Sequence, residues 1–249
     1  MKIIRSKDPQ TLGTAAGNTA VALIKAAIAE KGSANIILAT GTSQFETIRQ
    51  LIASDIDWGK VNMFHLDEYI GLPVTHPASF RKYLRERFLD KVAPLQSVCL
   101  INGEGDPEAE CSRISALIQA HPIDVALVGI GENGHLAFND PPADFNTTKP
   151  YLVVNLDAAC RQQQMNEGWF SAVTEVPLQA ISMSVHQILL SKHIICSVPG
   201  ERKAQAVKDS LEQPVSNLFP ASILQTHADC VFYLDEASAA KLQPAQKTV

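Results

Sequence analysis

Residues 124–142 read DVALVGIGENGHLAFNDPP, and this stretch decides the fold. It opens with an unbroken apolar run from Val125 to Ile130, bounded by Asp124 and Gly131. Short and rich in β-branched residues, that run predicts a strand buried on both faces, as in a parallel sheet. Glycines at 129, 131 and 134 let the backbone turn sharply and expose amides at the strand's carboxyl end. Open α/β sheets bind their ligands at that end. Into this turn the sequence places Asn133, His135, Asn139 and Asp140, then Pro141 and Pro142. A lone histidine is often structural. An imidazole five residues from a carboxylate, just past a buried strand, points to a site. The spacing Gly129-x-Gly131-x-x-Gly134 also fits a dinucleotide fingerprint, which requires a helix to start inside it. Pro141 and Pro142 forbid a helix interior there, so no nicotinamide or flavin cofactor is expected.

Working outward, the preceding chain supplies two more strand ends. Residues 9–31 have helical apolar spacing, closed by Gly32. The apolar strand 35–40 runs into Gly41-Thr42-Ser43-Gln44, followed by a helical pattern to about Ser54. Strand, small hydroxyl-bearing loop and helix form an anion-binding arrangement. The same residues also fit a plain helix N-cap by Thr42 or Ser43. The Lys-Ser/Thr ending of a Walker loop is missing. VNMFHLDEY (61–69) reads as one strand, with His65 and Asp67 on one face and Leu66 and Glu68 on the other. Partial desolvation at a strand end suits Asp67 to general-base work; an acidic surface turn is the alternative. A helix over 77–90 carries Arg81, Lys82, Arg85 and Arg87 as a solvated face, before a strand at 97–101 and a helix at 107–120.

Past the central motif, strands are expected at 151–156, 180–184, 193–198 and 230–235, and a helix near 220–226. Asp157 can cap the helix AACRQQQMNEGWF, which is either a lid closing through Trp169 and Phe170 or a surface helix anchored by them. Lys203 lies in the first turn of a helix, where it opposes the dipole unless an anion sits beside it.

Composition narrows the partners. At 249 residues and 46% hydrophobic content, with no linker-like segment, the chain predicts a single domain over 1–249. A net charge of −5 without a basic patch argues against nucleic acid and anionic membranes. The N-terminus lacks a signal-peptide core, and no stretch reads as the roughly 20 apolar residues of a membrane span. Five scattered cysteines without a C-x-x-C pair argue against structural zinc and for a reduced, cytoplasmic protein. The strand–helix alternation predicts an α/β class: a single-domain, Rossmann-like, mostly parallel sheet flanked by helices on both faces. In such a sheet Thr42, Ser43, Asp67, the 131–140 loop and Lys203 can line one crevice.

Over nearly its whole length the sequence resembles the glucosamine-6-phosphate deaminase (isomerase) family and its galactosamine relatives. The motifs are LDEYIGLP with HPASF, GIGENGHLAFNDP, the turn at Lys203, and HADCVFYLDE. Related 6-phosphogluconolactonases share the G-x-x-x-x-G-H turn but lack LDEY. The resemblance implies a metal-free, cofactor-free conversion of a phosphorylated amino sugar to a ketohexose phosphate and ammonia. Asp67 matches the base that moves a proton from carbon 2 to carbon 1, and His135 the ring-opening acid/base. Asp140 matches a position usually Glu that orients the histidine, and Asn133 matches a catalytic position that is Asp in some relatives and Asn in others. Gly41, Thr42, Ser43, Gly134 and Lys203 match substrate and phosphate contacts. The family's lid arginine has no counterpart in Asn166-Glu167-Gly168-Trp169-Phe170, so a lid at 149–172 is expected to meet its substrate differently. A lactonase and a non-catalytic sugar-phosphate sensor are the alternatives. The family includes monomers and hexamers, which leaves homo-oligomerisation open.

Overall fold

The computed structural model describes residues 1–243. Helix α1 (Pro9–Lys31) starts where Asp8 accepts a hydrogen bond from the Thr11 amide and ends at Gly32, whose φ of 83° suits glycine. By length and composition α1 is apolar enough to cross a membrane, contrary to the sequence expectation. Within the fold its stripe of Leu12, Ala16, Ala20, Ile24 and Ala27 is covered by the sheet. Helix α2 (Phe45–Ile52) crosses so close to it that a Cβ on Gly13 would lie 2.2 Å from the Glu46 side chain.

Seven strands form one parallel sheet. They are β1 (Lys2–Ser6), β2 (Ala34–Leu38), β3 (Val61–His65), β5 (Ser97–Cys99), β6 (Val125–Val128), β9 (His193–Val198) and β10 (Cys230–Asp235). Their order is β1-β10-β9-β6-β2-β3-β5, and every neighbouring pair is parallel. Alternate residues feed two cores. Val125 and Leu127 pack with α1, while Ala126 and Val128 face the opposite core, which contains Ile114 and Ile118 of α4 (Pro107–Gln119) and Val207 of α7 (Ala204–Glu212). This is why the run at 125–130 is apolar without alternation. After β2 the chain builds outward through β3 and β5, then returns to place β6 on the other side of β2. The crevice between the carboxyl ends of β2 and β6 is therefore a topological switch point, where open α/β sheets take their ligands.

A second sheet corrects the reading of 61–69 as one strand. The chain leaves the parallel sheet at Leu66, whose carbonyl accepts from the Met183 amide (2.9 Å). It continues as β4 (Asp67–Tyr69) in an antiparallel sheet with β8 (Gln179–Met183) and β7 (Tyr151–Asn155). His65 and Asp67 thus belong to different sheets. His65 is fully buried, and desolvation with the nearby Arg81 charge pushes its pKa down to about 3, so it is a neutral core residue. Strand β1 was not legible in the sequence, and 220–226 is 3-10 rather than α.

Arg81 is also corrected. It lies in α3 (Phe80–Arg87) and is buried rather than solvated, pairing with Glu68 (3.1 Å) and Glu104 (2.9 Å) and donating to the Leu72 carbonyl. Glu68 accepts from Ser79 Oγ and from the Phe80 and Arg81 amides, so it anchors the start of α3 as well. Glu68→Ala is expected to destabilise the fold by roughly 3–5 kcal/mol, because it takes from the buried Arg81 its buried partner, leaving only half-exposed Glu104, and strips the Ser79 hydroxyl and the Phe80 and Arg81 amides of their acceptor. Urea unfolding checks this; a loss under about 1 kcal/mol contradicts the role.

Candidate active site

Five chain segments meet over the switch point. Thr42–Gln44 form a 3-10 turn after Gly41, whose φ is 95°. Neither Thr42 nor Ser43 caps a helix with its side chain, so the capping alternative does not hold for these hydroxyls. The turn is fixed from behind. Fully buried Gln44 donates to the Val128 carbonyl (3.1 Å), and Tyr83 Oη donates to the Gly41 carbonyl (2.8 Å). A Cβ on Gly129 would meet Ser43 Oγ at 2.9 Å, so glycine there allows the two loops to approach.

Asp67 enters from β4. Strand alternation sends Glu68 to α3 and Asp67 into the crevice, which separates two adjacent carboxylates by role. Burial, reinforced by the Glu68 charge, pushes the Asp67 pKa up to about 8.

His135 comes from the turn after β6. Its carbonyl accepts from the Gly131 amide (2.9 Å) and its amide donates to Asn133 Oδ1 (3.1 Å). The imidazole lies directly over Gly131, where a Cβ would fall 2.2 Å from ring Cε1. Gly131→Ala must displace the ring, and a misplacement of about 1 Å costs on the order of 100-fold in rate. The expected result is that loss with folding retained, measured as turnover beside circular dichroism.

Asp140 stands behind the histidine. The shorter side chain reaches: Oδ1 is 3.1 Å from His135 Nδ1, off the ring's N–H axis. Asn133 Nδ2 donates to the same oxygen (3.1 Å), and the Asp157 amide donates to the other (3.1 Å). Burial raises the Asp140 pKa, but the imidazole and these donors outweigh it and hold the carboxyl below its ordinary value. Asn133, Gly134 and Asp140 do not line the crevice; they shape and orient what does.

Lys203 closes the far end, at the N-terminus of α7. Among the described residues its ammonium has no ion pair. Burial lowers its pKa, and the carboxylates of Glu167 and Glu132 pull it back up.

The fourth wall was missed as a set of contacts. Helix α5 (Ala158–Asn166) is capped by Asp157 and carries Gln163 and Gln164 into the crevice, with Glu167 and Trp169 just beyond. Gln163 Nε2 donates to Glu167 (2.7 Å), and its oxygen accepts from the Glu132 amide (2.8 Å). Gln164 Oε1 accepts from buried Tyr69 Oη (2.8 Å), while its Nε2 has no partner among the described residues. Phe170 packs edge-on to Tyr69 at 5.6 Å, so the aromatics anchor this wall. Arg161 donates to the Val173 carbonyl and does not line the crevice. Polar residues in a helix give no sequence signal for facing inward; only their number over 162–167 hinted at it.

The crevice is narrow behind an open mouth, with a cavity volume of about 80 Å³. Fold and crevice together define an α/β protein whose strand switch point carries a crevice lined by a hydroxyl loop, a lysine, a buried carboxyl and an imidazole.

Comparison with known proteins agrees. Residues 7–233 match the family of glucosamine-6-phosphate isomerases and 6-phosphogluconolactonases. A glucosamine-6-phosphate deaminase of Streptococcus equi subsp. zooepidemicus is 38% identical over 97% of this chain and 100% of its own. One from Listeria monocytogenes is 39% identical over 82% and 86%. Among solved structures, a monomeric glucosamine-6-phosphate deaminase superposes with a TM-score of 0.87 at 33% identity, covering 96% of this chain and 99% of that one. A 6-phosphogluconolactonase from Trypanosoma brucei shares the fold, with a TM-score of 0.77 at 19% identity over 97% and 98% of the chains. The chain belongs to the glucosamine-6-phosphate isomerase/6-phosphogluconolactonase family.

Proposed function

We propose that the protein is an amino-sugar-phosphate deaminase, converting an aldohexosamine 6-phosphate and water to a ketohexose 6-phosphate and ammonia. The observation that carries this reading is the presence of Asp67 and His135 in one crevice with Thr42, Ser43 and Lys203, which has no ion pair among the described residues. Lys203 and the hydroxyl loop take the phosphate, which orients the sugar through a part that does not react. His135 relays the proton that opens the ring, a task suited to an imidazole at neutral pH. Asp67, once ionised, takes the proton from carbon 2 of the open chain and returns it to carbon 1. The resulting imine at carbon 2 adds water and expels ammonia. Asp140 acts through His135 and is a positioning residue. Nothing in this sequence of proton transfers calls for a metal or an organic cofactor.

Helix α5 with residues 167–170 serves as the lid within a single domain, and neutral amides replace a cation on its inner wall. Gln164, pinned by Tyr69, offers its free Nε2–H to a substrate oxygen. Gln164→Leu is therefore expected to raise KM about ten-fold with little change in kcat, as for loss of one hydrogen bond worth about 1.4 kcal/mol. An unchanged KM would remove Gln164 from the site. Five unpaired cysteines suit a reducing cytoplasm.

Ammonia release from glucosamine 6-phosphate and galactosamine 6-phosphate, beside hydrolysis of 6-phosphogluconolactone, tests the reading. Ammonia from either hexosamine supports it. Lactone hydrolysis without ammonia release makes the protein a lactonase, and saturable binding without turnover makes it a sensor.

A further inference from the structure

Behind the catalytic face, His135 Nδ1, Asp140 Oδ1 and Cys160 Sγ lie within 4.8 Å of one another. Cys160 is fully buried in the first turn of α5, and His135 is only 8% exposed. His135 Nδ1 has no aligned hydrogen-bond partner. Two carboxylates converge here, since Asn133 Nδ2 is 3.1 Å from Asp140 and 3.4 Å from Asp157. Among the described residues no lysine or arginine pairs with either. The cluster thus combines surplus negative charge, an imidazole nitrogen without an aligned partner and a soft sulfur donor, the ligand set that zinc prefers.

We propose that His135, Asp140 and Cys160 form an inhibitory site for a soft divalent cation of the zinc class. The geometry is close to what such an ion needs. In a tetrahedral site with bonds of about 2.0 Å, N and O ligands stand roughly 3.3 Å apart, and Nδ1 and Oδ1 are 3.1 Å apart here. With the three atoms within 4.8 Å of one another, the sulfur need close by no more than about 1 Å, within reach of a side-chain adjustment. On binding, the thiol proton leaves to solvent and the thiolate and carboxylate offset the ion's charge. The ion takes the Nδ1 lone pair and fixes the proton on Nε2, so the imidazole can no longer accept the proton that ring opening requires. Because Cys160 rides on the lid helix, the ion also ties that helix to the histidine turn.

The inhibitory effect rests on the proposed deaminase activity; the binding does not. The full-length protein is titrated with Zn²⁺, with Mg²⁺ as the hard-ion control, while ammonia release is followed. Zn²⁺ is expected to inhibit reversibly by chelation and Mg²⁺ not to. Cys160→Ser and Cys160→Ala should keep basal turnover and shift the half-inhibitory Zn²⁺ concentration up by at least about ten-fold. Co²⁺ gives a readout independent of turnover. The unaltered protein should develop a thiolate-to-cobalt charge-transfer band that persists in Cys99→Ser and disappears in both Cys160 variants. Equal Zn²⁺ sensitivity in the Cys160 variants, or a cobalt spectrum without a thiolate band, overturns the proposal. If no hexosamine phosphate is turned over, the deaminase reading fails and the cobalt band still decides the site.

Discussion

Asp67→Asn is expected to lower kcat by roughly 100- to 10,000-fold, the usual cost of removing a positioned general base. The same change should stabilise the protein. The folded-state pKa of Asp67 is raised from 3.8 to about 8. The native state therefore keeps a proton that the unfolded chain has already lost. Stability falls as pH rises between these two values, and above pH 8 the native state carries the full cost of a buried carboxylate. Asparagine removes that cost, for a gain of roughly 1–3 kcal/mol at pH 8 that shrinks at pH 5. Denaturant melts at the two pH values check the sign; a variant less stable at pH 8 would show that the carboxylate is not desolvated. The activity profile follows from the same shift. At pH 7 only about a tenth of the free protein holds Asp67 ionised, so kcat/KM should rise with pH to an inflection near 8. A bound ammonium at carbon 2 favours the carboxylate, so the matching inflection in kcat should lie lower.

His135→Gln is expected to cost on the order of 100- to 1,000-fold in kcat/KM, toward the lower end for an acid/base group. The limit has a chemical reason. Hexosamines open slowly on their own, so a protein lacking the histidine still meets some open-chain sugar. Turnover by the variant should therefore track the open-chain fraction, and an acyclic substrate analogue should restore much of the lost rate. An equal deficit on the acyclic analogue would move His135 from ring opening to the proton transfer at carbon 2. Asp140→Asn should show a weaker version of the same phenotype, since it orients the ring without touching the sugar.

The parallel sheet was legible because its signal is local. Val125–Ile130 and Ile36–Leu38 are continuous apolar runs, and only a strand covered on both faces needs them. Gly129 and Gly131 were legible as turns, but their deeper reason was not. Each leaves room for an atom from elsewhere, Ser43 Oγ in one case and the His135 ring in the other. The sheet change at Leu66 was illegible for a related reason: LDEY continues the period-two pattern of VNMFH, and a pattern does not say which sheet receives it. Arg81 looked solvated because it shares a helix with Lys82, Arg85 and Arg87, whereas Glu68 and Glu104, which bury it, come from other segments.

By itself the sequence determined the α/β class, the turn that carries His135, and the residue types needed for moving protons on a phosphorylated sugar. The first two follow from short-range rules of apolar period, glycine turns and proline exclusion; the third came from the resemblance of LDEY and GENGHLAFND to one family's motifs. Tertiary structure alone decided which of two adjacent carboxylates faces the crevice, how far its pKa moves, and which helix walls the crevice with amides. Each of these depends on desolvation and on partners dozens of residues away, and such contacts exist only once the strand ends have been brought together.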